Sequence, residues 1–165
     1  MTELTLAMPG EEKECYAILD SGRNFQREQG FIQWDEEYPT FAMVEEDIRI
    51  GRGYVVRIDG KIAVYTCVMF GVDQIYNEID GEWETDEPYC VFHRLAISPE
   101  FRGIGLSAKI FGMIEELAKS RGINAMRADT DFPNKRMQHC LEKAGYKMRG
   151  IIEFHGKKIA YDKSI

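Results

Sequence analysis

A short basic turn between a predicted strand and a predicted helix carries the residues with the clearest chemical potential. The strand residues 95–97 lead into Arg102, and Gly103 and Gly105 follow before the helix begins. Glycine lets the backbone approach a ligand closely, the free amides of a helix start point toward an anion, and arginine adds a fixed positive charge. One helix terminus contributes only about 0.3 to 1 kcal/mol, so several amides and the arginine must act together. The turn therefore predicts a pyrophosphate-binding site.

Two other phosphate-binding motifs are excluded by spacing. A P-loop ends in Gly-Lys-Ser or Gly-Lys-Thr, and the turn at 102–107 has no such ending. A dinucleotide fingerprint needs a third glycine and an acidic ribose ligand about 20 residues further on, and this spacing is not met. A plain turn that starts a helix is the structural alternative, and the surrounding segments decide between the two interpretations.

The elements that must position this turn show helical and extended patterns. Apolar residues repeat at helical spacing in four segments, and runs rich in β-branched and aromatic residues mark the strands. An Asp-Gly pair at 59–60 between two such runs predicts a β-hairpin. The predicted helices are 11–29, 40–50, 104–120 and 134–144, and the predicted strands are 54–58, 62–70, 89–97, 123–130, 146–154 and 157–162. This order predicts a mixed α/β (α+β) fold with one sheet covered by helices.

Length and composition are those of a folded protein with one domain. The 165 residues are 44% apolar and 30% charged, and at roughly 150 residues per domain they predict a single domain over 1–165. The net charge of -7 is unfavourable for nucleic-acid binding. No segment has the roughly 20 apolar residues of a membrane span, and the first ten residues lack a signal-peptide pattern. We therefore expect a cytoplasmic protein that binds neither membranes nor nucleic acid.

The cysteines predict buried, reduced thiols rather than a metal or redox site. Cys15, Cys67, Cys90 and Cys140 are isolated in the sequence and have no C-x-x-C spacing. A free cysteine among apolar neighbours behaves as a small hydrophobic residue. We expect no metal to be bound.

A wider segment around the turn resembles the GNAT superfamily of acyl-CoA-dependent N-acetyltransferases. The pyrophosphate loop of that family reads Arg/Gln-x-x-Gly-x-Gly/Ala after a Leu-Ala-Val-x-Pro strand, and residues 95–107 are similar to it. Ser107 stands where the family usually has Gly or Ala. The family's Asn, helix and Glu-Lys-x-Gly-Phe segment is similar to Asn134 and the stretch 141–146. The resemblance covers residues 91–146.

The resemblance implies both a fold and a cosubstrate. The fold is a single central, mostly antiparallel sheet that is splayed in the middle and flanked by helices on both faces, and acetyl-CoA inserts at the splay. Backbone groups of Leu95 and Ile97 would pair with the pantetheine, the turn would hold the pyrophosphate, and Asn134 would contact the CoA arm. The resemblance assigns these residues to acetyl-CoA binding: Leu95, Ala96, Ile97, Arg102, Gly103, Ile104, Gly105, Leu106, Ser107 and Asn134.

Two residues of the strand before the turn are the implied candidates for catalysis. Family members often carry a Glu or a His as the base on this strand, and strand alternation places His93 there, while Val91 replaces the frequent Glu. A core histidine bonded to a backbone carbonyl is the structural alternative. The usual thiolate acid of the family is a Tyr, and Leu141 occupies that position here. This departure leaves water, Tyr89 or another hydroxyl as the acid.

The acceptor side of the implied fold receives an acidic segment and three aromatic residues. Between Ile62 and His93 the chain has no Lys or Arg, and acidic residues crowd the segment 73–87. A negative rim would attract a cationic amine, and a solvated hairpin loop is the alternative. The candidates for an aromatic wall of the acceptor site are Trp34, Tyr38 and Trp83, with core packing as the alternative for Trp34.

These observations lead to two functional hypotheses. The first is an N-acetyltransferase that moves an acetyl group from acetyl-CoA directly to a primary amine of a small cationic metabolite or peptide. The second is a non-catalytic acyl-CoA-binding or sensor module, and its motivation is the missing Tyr at Leu141 and the missing Glu at Val91. Because GNAT proteins are often dimers, the C-terminal strand pair over 146–165 is the expected interface of a homodimer.

Overall fold

The computed structural model describes residues 3–71 and 73–165, and these residues form eight β-strands and four α-helices. The strands are β1 (Leu4–Leu6), β2 (Gly53–Ile58), β3 (Lys61–Gly71), β4 (Asp80–Gly81), β5 (Tyr89–Ile97), β6 (Ala125–Asp131), β7 (Lys147–Glu153) and β8 (Lys157–Ser164). The helices are α1 (Glu12–Glu28), α2 (Phe41–Arg49), α3 (Leu106–Ser120) and α4 (Lys135–Lys143). All four predicted helices and all six predicted strands are present.

The strands are hydrogen-bonded in the order β1-β2-β3-β5-β6-β8-β7-β4. β5 pairs with β6 in parallel, through Cys90 with Met126 and Val91 with Arg127. The pairs β1–β2, β2–β3, β6–β8, β7–β8 and β4–β7 are antiparallel. This topology confirms the predicted mixed α/β class with one mostly antiparallel sheet.

The chain divides into two compact units, each built from two segments. Unit 1 consists of Met1–Val68 and His93–Met113, and unit 2 consists of Met69–Phe92 and Ile114–Ile165. As a result, β3, β5 and α3 each begin in one unit and end in the other. The single domain over 1–165 stays a prediction.

Unit 1 contains helices α1 and α2 and the hairpin of β2 and β3. The side chain of Thr40 caps α2 by accepting a hydrogen bond from the Met43 amide at 3.3 Å. In the hairpin turn, φ is positive at both Asp59 (51°) and Gly60 (77°). Two left-handed residues in a two-residue loop match the right-handed twist of the flanking strands. The Asp-Gly hairpin is therefore confirmed.

Unit 2 contains strands β4, β6, β7 and β8, the first part of β5, and α4. Asn134 caps α4, because its Oδ1 accepts a hydrogen bond from the Met137 amide at 3.1 Å. A cluster of buried residues forms a hydrophobic core in this unit. Its buried members are Tyr76, Tyr89, Val91, Ala125, Ile152 and Ala160.

Two short strands were absent from the prediction. β1 has three residues and β4 has two, and neither is long enough to show a periodic pattern of its own. Only pairing with β2 and β7 identifies them. Strand formation at these positions is thus decided by the partner strand rather than by the local sequence.

The backbones of β4 and β7 approach each other so closely that both contact positions must be glycine. A Cβ on Gly150 would overlap the carbonyl oxygen of Asp80 and would lie 2.9 Å from the Cα of Gly81. Backbone atoms cannot rotate away as the end of a side chain can. The two glycines therefore permit the contact that pins the acidic segment 78–87 to the sheet.

The substitution Gly150→Ala is expected to separate β4 from β7. Forcing a methyl group into this contact should lower the free energy of unfolding by about 1 to 3 kcal/mol, and urea unfolding measures this change. Limited proteolysis should then cut the segment 78–87 faster than in the wild type. The control is Gly112→Ala, since a Cβ there meets open space on an exposed helical position. Unchanged stability and proteolysis of Gly150→Ala would contradict the close approach.

The four cysteines are free thiols, and they lie apart from any cluster of potential metal ligands among the described residues. Cys15, Cys67 and Cys90 are buried, as predicted, whereas Cys140 is half-buried. Among the described residues, no group of three or more His, Cys, Asp or Glu side chains is placed to hold a metal ion. In the same residues, no helix combines the length and the apolar character that crossing a bilayer requires.

Candidate active site

Both glycines of the predicted phosphate turn have left-handed backbone conformations. φ is +81° at Gly103 and +78° at Gly105, a region that is costly for a residue with a Cβ. In the described part of the chain, apart from each glycine's immediate neighbours, no heavy atom lies within 4 Å of a Cβ built on either residue. Ile104 between them is exposed. The turn is therefore a bent stretch of backbone that faces open space, which fits a phosphate cradle.

Helix α3 begins directly after this turn and supplies the positive end of a helix dipole. Leu106 is buried and anchors the first turn of the helix, and Ser107 is half-buried beside it. The first four amide groups of an α-helix have no acceptor within the helix. These amides and the dipole favour an anion at this position.

Arg102 is held beside the turn by helix α1. Its Nη2 donates to the carbonyl oxygen of Ser21 at 3.2 Å and lies 3.3 Å from the Ser21 hydroxyl. The guanidinium also stacks over the ring of Phe25, 4.3 Å from the ring centroid. The sequence predicted the charge of Arg102 but not its support, because Ser21 and Phe25 are about 80 residues away along the chain. The positive charge is thus oriented in advance by α1.

β5 carries the candidate base, His93, which is buried with 9% of its surface exposed. Its carbonyl oxygen accepts a hydrogen bond from the Thr66 hydroxyl at 3.0 Å. The next residue, Arg94, has a φ of +53° in the middle of the strand. This left-handed residue interrupts the alternation of side chains along the strand directly after His93. Strand alternation therefore does not predict which way the side chains after Arg94 point, and tertiary contacts determine their directions.

A buried charge network behind Arg94 was missed by the sequence analysis. Asp47 of α2 is fully buried, and both of its oxygens accept hydrogen bonds from Arg94, at 2.8 Å from Nη2 and 3.0 Å from Nε. Arg52 donates to the same carboxylate at 2.7 Å and the Tyr65 hydroxyl at 2.6 Å. The one available signal was Asp47 itself, since it lies between Val44 and Ile48 on the apolar face of α2.

The electrostatics of this network follow from burial and from the neighbouring cations. Burial alone raises the pKa of Asp47, but the hydrogen bonds and charge of Arg94, together with Tyr65 and Arg52, outweigh it, and the pKa lies below its usual value. Burial also raises the pKa of the nearby Cys67 thiol to about 12. Asp47 is therefore charged and Cys67 is protonated at neutral pH.

Tyr89, the second candidate for catalysis, has its hydroxyl hydrogen-bonded to the backbone of Asp73. It accepts a hydrogen bond from the Asp73 amide at 2.7 Å and donates one to the Asp73 carbonyl at 3.0 Å. The guanidinium of Arg127 covers its ring, 3.9 Å from the centroid. These contacts tie the start of the acidic segment to β5, and a role of Tyr89 as acid stays a prediction.

Of the three aromatic acceptor candidates, two lie in unit 1. Trp34 is buried against α1, where its ring would come 3.0 Å from a Cβ on Gly22. Tyr38 is also buried, and its hydroxyl accepts a hydrogen bond from Arg94 Nη1 at 3.2 Å. Both side chains have packing roles, and contact with an acceptor stays a prediction.

Trp83 lies in unit 2 and helps to dock the acidic segment. Its Nε1 donates to the Tyr76 carbonyl at 3.0 Å, and Arg127 stacks over its ring at 4.1 Å. The Tyr76 hydroxyl in turn donates to Asp129 of β6 at 2.7 Å. The sequence analysis missed this Tyr76–Asp129 pair.

The acidic segment is anchored by its backbone and exposes its carboxylates. The Glu84 amide donates to Asp162 at 2.8 Å, and Arg127 Nη2 donates to the Thr85 carbonyl at 2.8 Å. The exposed carboxylates are those of a solvated loop, which was the alternative, and their place at an acceptor site stays a prediction. The exposed acidic residues of the segment are Glu78, Asp80, Glu82, Glu84, Asp86 and Glu87.

The predicted site residues fall into two groups. Unit 1 contains Trp34, Tyr38, His93, Leu95, Ala96, Ile97, Arg102, Gly103, Ile104, Gly105, Leu106 and Ser107, and unit 2 contains Trp83, Tyr89 and Asn134. The turn, the end of β5 and the start of α3 are therefore brought together within one unit. His139 and His155, which are not among the predicted site residues, are exposed.

A family model and several solved structures resemble this chain. The model of the Acetyltransferase (GNAT) family matches residues 13–146. A GNAT family acetyltransferase from Streptococcus agalactiae is 33% identical, with a TM-score of 0.90 over 99% of this chain and 95% of that one. A GNAT family acetyltransferase from Listeria monocytogenes is 18% identical, with a TM-score of 0.80 and the same coverage of 99% and 95%.

A more distant structure shows the same fold with ligands bound. AAC(6')-Ib in complex with ribostamycin and coenzyme A is 22% identical, with a TM-score of 0.72 over 99% of this chain and 93% of that one. The comparison with curated proteins finds no match. The family model spans most of the chain, including the turn at 102–107 and the helix that follows it. The chain therefore belongs to the GNAT acetyltransferase family.

Proposed function

We propose that this protein is an acetyl-CoA-dependent N-acetyltransferase whose acceptor is a primary amine of a small cationic metabolite or peptide. The observation that carries the proposal is the turn at 102–107, where Arg102 and two left-handed glycines precede the start of α3. Membership of the GNAT family supports acetyl transfer. The complexes of AAC(6')-Ib with CoA and with acetyl-CoA are examples of this fold holding that donor.

Different residues would bind different parts of acetyl-CoA. The amides from Gly103 to Ser107 would hold the pyrophosphate, and the guanidinium of Arg102, which is half-buried next to the turn, would add positive charge. Backbone groups of Leu95 and Ile97 would pair with the pantetheine. Asn134, whose side chain caps α4, would contact the CoA arm.

The transfer itself needs a neutral amine and a proton for the leaving thiolate. The amine nitrogen forms a bond to the thioester carbonyl carbon, the carbon–sulfur bond breaks, one amine proton passes to a base, and the thiolate takes up a proton. Deprotonating a lysine-like amine at pH 7 costs about 4.6 kcal/mol, whereas an α-amine with a pKa near 8 costs about 1.4 kcal/mol. A base is therefore most important for side-chain amines, and His93 is the residue we propose for it.

The exposed carboxylates of the segment 78–87 support a cationic acceptor. The segment carries six exposed acidic side chains and no basic residue, and of these six Glu84 is paired with Arg149 of β7 at 3.4 Å. The exposed carboxylates create a negative field. Such a field raises the encounter rate of a positive amine more than its affinity. The rate of acetylation should therefore fall as ionic strength rises.

A non-catalytic acyl-CoA-binding module is the second candidate function. Leu141 is fully buried at the position where the family usually carries its Tyr acid. A leucine side chain has no acidic proton, and therefore it cannot protonate the thiolate. Acetyl-CoA binding without thiol release across a broad panel of amines would favour this second function. Thiol release with any amine in the panel would favour the enzyme.

Arg102→Ala is the substitution that tests the phosphate site. Charge-assisted hydrogen bonds contribute about 1.5 to 3 kcal/mol, so we expect the dissociation constant of acetyl-CoA to rise roughly 10-fold to 100-fold. Calorimetric titration of the folded variant with acetyl-CoA measures this. Arg49→Ala removes an exposed arginine of the same unit and should bind like the wild type. Unchanged affinity in Arg102→Ala would contradict the assignment of the turn.

A further inference from the structure

The backbone conformation of Arg94 is unusual for a residue in the middle of a strand. Its φ of +53° lies in the left-handed region, although its neighbours belong to the extended strand β5. This conformation is unfavourable for a residue with a Cβ and persists only where the surrounding structure holds it. Some feature of the fold must therefore hold Arg94 in place.

Asp47 makes a two-point contact with the Arg94 side chain, which also donates to the Tyr38 hydroxyl. Arg94 donates from Nε to Oδ2 and from Nη2 to Oδ1, which is a two-point contact with a fixed orientation. Each oxygen also accepts one further hydrogen bond, Oδ1 from Arg52 and Oδ2 from Tyr65. The carboxylate is fully buried and the Arg94 side chain is 8% exposed. Neither side chain can turn away without leaving a buried charge unpaired.

The strand is fixed on either side of Arg94 as well. Before it, the carbonyl oxygen of His93 accepts a hydrogen bond from Thr66. After it, the amide of Ser98 donates to the Ala63 carbonyl at 2.8 Å. The segment 95–97 therefore runs between two hydrogen-bonded positions. The backbone dihedral angles of Arg94 set the directions in which the amide and carbonyl groups of this segment point.

We propose that Asp47 is a positioning residue for acetyl-CoA binding, acting through Arg94 on the backbone of Leu95 and Ile97. The inference rests on the proposed function, in which these two residues pair with the pantetheine. In this assignment Asp47, a fully buried residue of α2, touches neither the donor nor the reacting atoms. Its effect on binding comes from keeping two backbone groups oriented before the donor arrives.

A role in stability alone makes a different prediction from a role in positioning. Loss of stability lowers the temperature of unfolding but leaves the affinity of the folded protein unchanged. Loss of positioning weakens acetyl-CoA binding even well below the unfolding temperature. Arg52 provides the matched control, because it binds the same carboxylate oxygen as Arg94 but does not lie on β5.

The experiment is calorimetric titration with acetyl-CoA of the wild type, Asp47→Asn, Arg94→Gln, their double variant and Arg52→Gln. All are measured at a temperature where circular dichroism shows each variant to be folded. We expect Asp47→Asn and Arg94→Gln each to raise the dissociation constant about tenfold or more, as the loss of one or two backbone hydrogen bonds would. The double variant should bind no more weakly than the weaker single variant, since both changes remove one contact. Arg52→Gln should stay within about twofold of the wild type.

Three results would each overturn the inference. They are wild-type affinity in folded Asp47→Asn, equal losses of affinity in Asp47→Asn and Arg52→Gln, and additive losses of affinity in the double variant. If Asp47→Asn does not fold, Arg94→Lys replaces it, because lysine keeps the charge but loses the two-point contact. An affinity between those of the wild type and Arg94→Gln is then expected, and full wild-type affinity would overturn the inference.

The wild type separates this inference from the proposed function. A wild type that does not bind acetyl-CoA contradicts the proposed function, and the inference falls with it. A wild type that binds, together with variants that bind equally well, contradicts the inference alone.

Discussion

Replacing His93 with alanine is expected to lower kcat for a lysine-like amine by about 10²-fold to 10⁴-fold at neutral pH, the usual contribution of a general base. The affinity for acetyl-CoA should change little, because the phosphate turn at 102–107 remains intact. The loss should shrink as pH rises toward 10, where the amine loses its own proton. It should also be smaller for an α-amine acceptor. Thiol release measured as a function of pH with both amines tests these expectations.

His139→Ala is the matched control for this substitution. His139 is an exposed histidine of α4 in unit 2, so its loss should leave kcat and the pH profile unchanged. Full activity of His93→Ala at neutral pH would remove His93 from the mechanism. Because His93 is buried, circular dichroism must first show that the variant is folded.

Replacing Asp47 with alanine is expected to produce the largest loss of stability among these variants. Removing one partner of a buried ion pair leaves the other charge uncompensated, which costs about 3 to 5 kcal/mol. Here the stranded charge is the guanidinium of Arg94, which is 8% exposed. Urea unfolding of the wild type and the variant at pH 7 measures the difference.

The stabilisation by Asp47 should depend on pH in the acidic range. Its pKa in the folded protein lies below its usual value, so unfolding raises the pKa and takes up a proton at low pH. The contribution is therefore complete above the unfolded pKa, near 4, and is lost as pH falls through the folded pKa. The stability difference between wild type and Asp47→Ala should narrow as the pH is lowered below about 4.

Glu46→Ala is the control for this pair of experiments. Glu46 lies next to Asp47 on α2 and pairs with the exposed Arg49, and such exposed pairs contribute little to stability. Its midpoint of unfolding should stay close to that of the wild type. A loss in Asp47→Ala no larger than that in Glu46→Ala would contradict the importance of the buried network.

The acidic segment shows the limit of reasoning from composition. The sequence predicts a run of negative charge before β5, and the exposed carboxylates agree with it. It does not predict that Asp162 and Arg127 anchor the backbone of this segment, or that β4 pairs with β7. Those contacts join residues 40 or more positions apart in the chain. Local patterns carry no information about such partners.

The sequence by itself determined the features whose physics is local. Glycines at 103 and 105 and a helix start after them specify the turn, and an Asp-Gly pair specifies the hairpin at 59–60. The caps at Thr40 and Asn134 follow the same logic. Only the tertiary structure decided the left-handed backbone of Arg94, its contact with Asp47, and the support of Arg102 by α1. Each of these depends on bringing distant residues together, because a buried charge is stable only where folding supplies its partner.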